Sequence, residues 1–145
     1  MLFKKILAIL FGGLFLCASL ATPAYAEATL PLVESEVVPA YEIATYVTSN
    51  LSISGQTAYC TSSATGADTV SITVEQTLQK QGFLWLWYGV DGASWTKTVN
   101  KKTITFVNTK SGLSGGKYRL KSVFTLTDSA GKKETITVYS AEKSI

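Results

Sequence analysis

The chain has 145 residues, with 13 Lys and Arg against 10 Asp and Glu, two Cys, no His and 46% hydrophobic residues. Without histidine, most general-base, triad and zinc designs are excluded. A formal charge of +3, partly carried by two N-terminal lysines, gives little support to a nucleic-acid partner.

Residues 1–26 read as a secretory signal peptide. Lys4 and Lys5 supply a basic start, and residues 6–20 form an apolar run shorter than a membrane span. Ala24-Tyr25-Ala26 then places small residues at the two positions a signal peptidase reads. Cleavage is expected after Ala26, releasing a secreted chain that begins at Glu27 and is free or loosely wall-associated. The remaining eleven cations and ten acids nearly cancel. Of these, six acids (Glu27, Glu34, Glu36, Glu42, Asp68, Glu75) and no cation precede Lys80, while all eleven cations and four acids lie from Lys80 onward. That division reads either as an anion-binding face or as charges that mix once the strands interleave.

Cys17 lies in the signal. Leu14-Phe15-Leu16 before it lacks the small residue of a lipoprotein signal, so no lipid anchor is expected. Cys60 is then the sole mature cysteine, and no intrachain disulfide can form. An odd cysteine in a secreted chain suggests a reactive thiol or an intermolecular bridge. The strand pattern around Cys60 favours a buried apolar thiol instead.

Residues 27–40 (EATLPLVESEVVPA) read as an extended leader, rich in acids and holding Pro31 and Pro39. The body, 41–145, has no proline, and its glycines cluster in turn-like pairs. Between them apolar and polar residues alternate at period two, the pattern of half-buried strands. In 41–53 one parity carries Ile43, Val47, Leu51 and Ile53. Ala58 and Cys60 share a face in 57–62. In 69–80 the inward set is Val70, Ile72, Val74 and Leu78. Ile104 and Phe106 follow, then Tyr118, Leu120, Phe124 and Leu126 opposite Lys117, Arg119 and Lys121, then Ile136 and Val138. Strands at this spacing, with no helical period, predict a single all-β domain. Its class is an antiparallel immunoglobulin-like or fibronectin-like β-sandwich of about seven or eight strands. Gly116-Lys117-Tyr118-Arg119-Leu120 is similar to the G-x-Y-x-L opening of the sixth strand in such sandwiches.

Residues 83–90 (FLWLWYGV) break the alternation, being apolar on both parities. Asp91-Gly92 follows, a dipeptide suited to a two-residue type I′ hairpin. That turn predicts Tyr88 opposite Trp95, Leu86 opposite Lys97, Leu84 opposite Val99 and Gly89 opposite Ser94. Leu84, Leu86, Tyr88 and Trp95 would then face the core. Phe83, Trp85 and Trp87 would face outward beside Ser94, Thr96 and Thr98. Aromatic faces beside hydroxyls suit a sugar ring or an apolar patch on a partner. The expected binding patch is therefore Phe83, Trp85, Trp87, Thr96 and Thr98. Burial of these aromatics within the sandwich, or cover by residues 27–40, is the competing reading.

No calcium loop, phosphate-cradling loop or G-x-S-x-G elbow is present. Glu75, Asp91, Asp128 and Glu134 are the carboxylates available for a glycosidase-type pair, and each suits a solvated strand or turn. No catalytic, cofactor or metal residue is expected.

Asn50-Leu51-Ser52-Ile53, Thr57-Ala58-Tyr59-Cys60, Thr77-Leu78-Gln79-Lys80, Gly116-Lys117-Tyr118-Arg119 and residues 134–140 (ETITVYS) span most of the body. On these segments the chain resembles a family of short secreted proteins of Gram-positive, largely gut-dwelling bacteria, classed as a domain of unknown function. The resemblance implies secretion and a β-sandwich, and no activity. The aromatic 83–88 segment departs from the polar mixture the family leads one to expect there. The expectation for function is a non-catalytic secreted binding module for glycan or protein at a cell surface. A surface-active or membrane-directed protein is the alternative.

Overall fold

Alternation of this kind buries one face of each strand and leaves the other wet, so the strands must stack as two sheets. The computed structural model of the chain describes residues 40–145. The expected signal segment and residues 27–39 of the expected leader lie outside the described residues. Eight strands follow in order: β1 (Ala44–Ser54), β2 (Thr57–Gly66), β3 (Thr69–Gln81), β4 (Trp87–Val99), β5 (Thr103–Lys110), β6 (Lys117–Asp128), β7 (Lys133–Tyr139) and β8 (Lys143–Ser144). They form a three-stranded sheet, β1-β2-β5, against a five-stranded one, β4-β3-β6-β7, with β8 paired to the start of β6. Every pairing is antiparallel. Because β4 joins β3 rather than β5, the order is fibronectin-like and not that of a constant immunoglobulin domain.

The predicted parities hold along β2, β6 and most of β3. Ala58, Cys60, Ile72, Val74, Leu78, Tyr118, Leu120, Phe124 and Leu126 are all buried, and each large one contributes roughly 1.5–3 kcal/mol of burial. Val70 is the exception. The β3–β6 register shifts between Thr69 and Ser71, which turns Thr69 inward and leaves Val70 exposed. A bulge adds one residue to the strand and so reverses the phase of everything before it.

The core is divided. One apolar cluster gathers Ile43, Ala64, Ile72, Val74, Ile104, Phe124 and Leu126. A second gathers Leu51, Ala58, Cys60, Leu78, Leu113, Tyr118 and Leu120. On four strands the step between the two clusters is a polar residue: Ser49, Ser62, Gln76 and Ser122, all buried. They bond to one another across the sheets. Gln76 donates from Nε2 to Ser62 Oγ at 2.7 Å and to the Phe106 carbonyl at 2.9 Å, and its Oε1 accepts from Asn108 Nδ2 at 2.7 Å. The Ser122 hydroxyl meets Ser62 Oγ at 2.7 Å and Ser49 Oγ at 2.8 Å. Satisfied in this way, the belt escapes the cost of orphaned buried dipoles.

Tyr118 closes the sixth-strand corner, its hydroxyl donating to the Ser114 carbonyl at 2.6 Å, the geometry of the tyrosine corner in immunoglobulin-like sandwiches. Cys60 and Leu120 pack in the same cluster, so no inter-sheet disulfide links β2 to β6. Burial pushes the Cys60 thiol up to about 11. At the other end of the domain the Glu134 carboxylate accepts the backbone N–H groups of Glu42, Ile43 and Ala44 at 2.8, 2.8 and 3.0 Å. This clamps the start of the domain onto β7.

Candidate functional site

β3 and β4 form one long hairpin whose tip carries four exposed large apolar side chains in succession. Gln81 pairs with Trp87, leaving residues 82–86 as the loop. Gly82 N–H bonds to the Leu86 carbonyl at 2.8 Å and Leu86 N–H to the Phe83 carbonyl at 3.3 Å. The second of these bonds closes a four-residue turn over 83–86. Within it Leu84 and Trp85 take left-handed backbone, with φ of +55° and +62°. For such residues that conformation costs roughly 1–2 kcal/mol each. Gly82 answers a separate constraint, since a Cβ there would lie 2.7 Å from the Tyr88 ring. The side chains of the loop turn outward: Phe83 is 82% exposed, Leu84 67%, Trp85 78% and Leu86 53%.

This geometry corrects the expected Asp91-Gly92 turn. Thr77 pairs with Ser94 and Gln79 with Gly89, so residues 90–93 form a wide bulge on one strand, opposite Leu78. Both flanks of the dipeptide hydrogen-bond to β3, and that long ladder outweighs a local turn preference. Gly92 uses its positive φ of +68° in the bulge. Leu84, Leu86 and Tyr88, expected inward, are each more than half exposed. Trp95 packs against the second core cluster beside Val90. Lys97, the poor fit to an inward row, places its ammonium 5.7 Å from the Phe106 ring centre.

The expected patch therefore divides in two. Phe83 and Trp85 occupy the tip, and Trp87 lies immediately behind it on the outer face of the five-stranded sheet. Thr96 and Thr98 pair with Glu75 and Thr73. At about 3.4 Å per residue along β3, Thr96 stands roughly 20 Å from Trp87 and Thr98 farther still. Their neighbours are a threonine ladder (Thr73 and Thr98 hydroxyls 2.8 Å apart). Trp87 instead joins a stack missed in the sequence. The Arg119 guanidinium lies 4.3 Å from the Trp87 ring centre and 4.1 Å from that of Tyr139, while its Nε donates to Gln79 Oε1 at 2.8 Å. Cation–π contacts with two rings, and the bond to Gln79, hold the arginine in place on the sheet.

On the inner side of the tip lies a groove of about 330 Å³, lined chiefly by Lys80, Tyr88, Lys110, Leu113, Ser114 and Tyr118. Lys80 Nζ donates to Ser114 Oγ at 2.6 Å and sits 5.5 Å from the Tyr118 ring centre. No acid lines the groove. Among the described residues the ion pairs are Lys117–Glu142 and Lys132–Glu42, so Lys80 and Lys110 have no carboxylate partner there. The sequence signal for this groove was available in the cations that begin at Lys80, but their convergence depends on the loop 111–116 folding back beside β4.

Charge separates partly along the strands. The hairpin end gathers Lys80, Lys110, Lys117, Arg119, Lys121 and Lys143 against two acids, Asp91 in the bulge opposite Leu78 and Glu142 paired to Lys117. Glu42, Asp68, Asp128 and Glu134 lie at the other end, where Lys101, Lys102, Lys132 and Lys133 balance them. Of the carboxylates open to acid–base chemistry, Asp128 accepts the Ala130 and Lys132 N–H groups and Glu134 forms the clamp. Among the described residues no three His, Cys, Asp or Glu gather to hold a metal, and no helix is long and apolar enough to cross a membrane.

No protein-family model matches the chain, and no curated protein matches it. Two crystal structures of wild-type OgpA from Akkermansia muciniphila are similar to it at 14% identity, with TM-scores of 0.37 and 0.38. The matches cover 68% and 72% of this chain but 29% and 31% of OgpA, so the chain spans about a third of that protein's length.

Proposed function

We propose that this chain is a non-catalytic binding module working outside the cell, and that its contact element is the hairpin tip at the cation-rich end. The observation that supports this reading is the run of four large apolar side chains at 83–86, each more than half exposed on a backbone that takes two consecutive left-handed residues. Hairpin closure accounts for the left-handed backbone, but not for leucine and tryptophan where glycine or asparagine adopts it freely; contiguous exposed apolar surface marks a contact site. Glycan or protein at a cell surface is the partner class the sequence suggested, and secretion follows from the expected signal segment. Attachment of the purified protein to intact bacterial and epithelial cells tests the reading. Trp85→Ser should abolish attachment while Thr96→Ala leaves it unchanged. Failure of the wild type to attach, or equal attachment of the Trp85 variant, would remove it.

A further inference from the structure

We infer that the surface this module contacts is an anionic phospholipid layer, with residues 83–86 entering the interface and Lys80 and Lys110 receiving lipid phosphate. The inference rests on the contact-module reading above and names its partner.

Composition of the tip is the first argument. Phe83, Leu84 and Leu86 carry no hydrogen-bonding group, and Trp85 carries one N–H. A sugar ring needs donors and acceptors around its rim, whereas an acyl-chain boundary needs none. Tryptophan among leucine and phenylalanine, carried at the end of a rigid element, suits the headgroup level of a bilayer, where an apolar face sinks roughly 5–10 Å.

The groove supplies the second argument. Gly82 and Tyr88 shape the loop and also line the groove, so the tip and the two lysines present themselves to one ligand. That ligand is apolar where it meets 83–86 and anionic immediately beside it. A phospholipid with a negative headgroup has both parts in that order. Lys80 and Lys110 are half-buried and lack a carboxylate partner among the described residues, so two amino groups are available to phosphate oxygens. Arg119, Lys121 and Lys143 extend positive potential around the same end and outnumber Asp91 there, Glu142 being paired to Lys117. The balanced charge of the far end gives the molecule a direction in which to approach a negative surface.

Phosphatidylcholine vesicles prepared with and without phosphatidylglycerol provide the test. The protein should bind only the anionic vesicles, more weakly as salt is raised. Brominated acyl chains should quench its tryptophan fluorescence. Leu84→Ser with Trp85→Ser should weaken association about tenfold or more. Lys80→Ala with Lys110→Ala should weaken it about 30-fold, at roughly one factor of five per lysine. Should the tip variant unfold, Phe83→Ser carries the same test at the most exposed position. Excess inorganic phosphate should compete only weakly, because it lacks the acyl part; full competition would reduce the site to free phosphate and overturn the lipid assignment. Attachment to intact cells that depends on Trp85, with no association with vesicles, would overturn the lipid inference and leave the module reading standing with a protein or glycan partner. Loss of both would remove the module reading as well.

Discussion

The belt inside the sandwich and the loop at its end reverse the usual placement of polar and apolar groups in opposite senses. Ser49, Ser62, Gln76 and Ser122 are polar and buried; Phe83, Leu84, Trp85 and Leu86 are apolar and exposed. The belt is compensated within the domain, each of its side chains holding at least one short hydrogen bond. For the loop, no described residue covers the side chains, and its backbone carries added strain. Internal compensation marks a device of the fold. On the function proposed above, its absence marks a device for something outside the fold.

The largest effect should come from breaking the belt. Gln76→Leu leaves the Asn108 amide and the Phe106 carbonyl without their partner, and should cost about 3 kcal/mol of stability in a denaturant titration. A cost near zero would show the belt to be incidental.

Glu134 tests whether compensation works equally well at the clamp. Desolvation pushes its carboxyl up, but the N–H groups of Ala44, Glu42 and Ile43 favour the carboxylate, and its pKa is lowered from the ordinary 4.5. A lowered native pKa adds stability above the unfolded value, and that stability is lost as pH falls through the native one. Glu134→Gln should therefore cost about 1–2 kcal/mol at neutral pH and flatten the acid limb of the stability curve. An unchanged acid limb would mean the clamp contributes nothing.

The loop should respond with the opposite sign. Leu84→Gly with Trp85→Gly removes two left-handed penalties and should raise stability by up to about 1 kcal/mol, while attachment is lost. A destabilised variant would show that the loop side chains support the fold after all.

Smallest in energy is the thiol of Cys60. Buried and pushed up to about 11, it should stay unreactive to a thiol reagent at pH 8 until the protein unfolds. Rapid labelling of the native protein would place it at a surface.

Much of the sandwich was legible in the sequence because strand parity is a local signal. The rows Tyr118–Leu120–Phe124–Leu126 and Ala58–Cys60 point inward as read, and the Tyr118 corner follows from its glycine-led opening. The belt was hidden by the same rule, since a serine or glutamine in an alternating row reads as solvated. Its trace was present: Ser62, Gln76 and Ser122 occupy inward parities. The site was legible only in part. Phe83 and Trp85 do face outward, but the partition of their neighbours came from a turn at Asp91-Gly92 that the β3 ladder overrides. No local pattern reveals that residues 82–86, rather than 91–92, reverse the chain.

The wide bulge at 90–93 has a consequence for the behaviour of the protein at high concentration. β4 is an edge strand, and an unbroken edge offers free N–H and C=O groups to the next molecule, the first step of cross-β growth. Four residues set against one break that edge into two short runs. Lys97, on the run beyond the bulge, faces the sheet-to-sheet side beside Phe106, an inward-pointing charge of the kind that guards edge strands. The element that exhibits bare leucine and tryptophan is thus kept from templating its own polymer, and its stickiness stays confined to the tip.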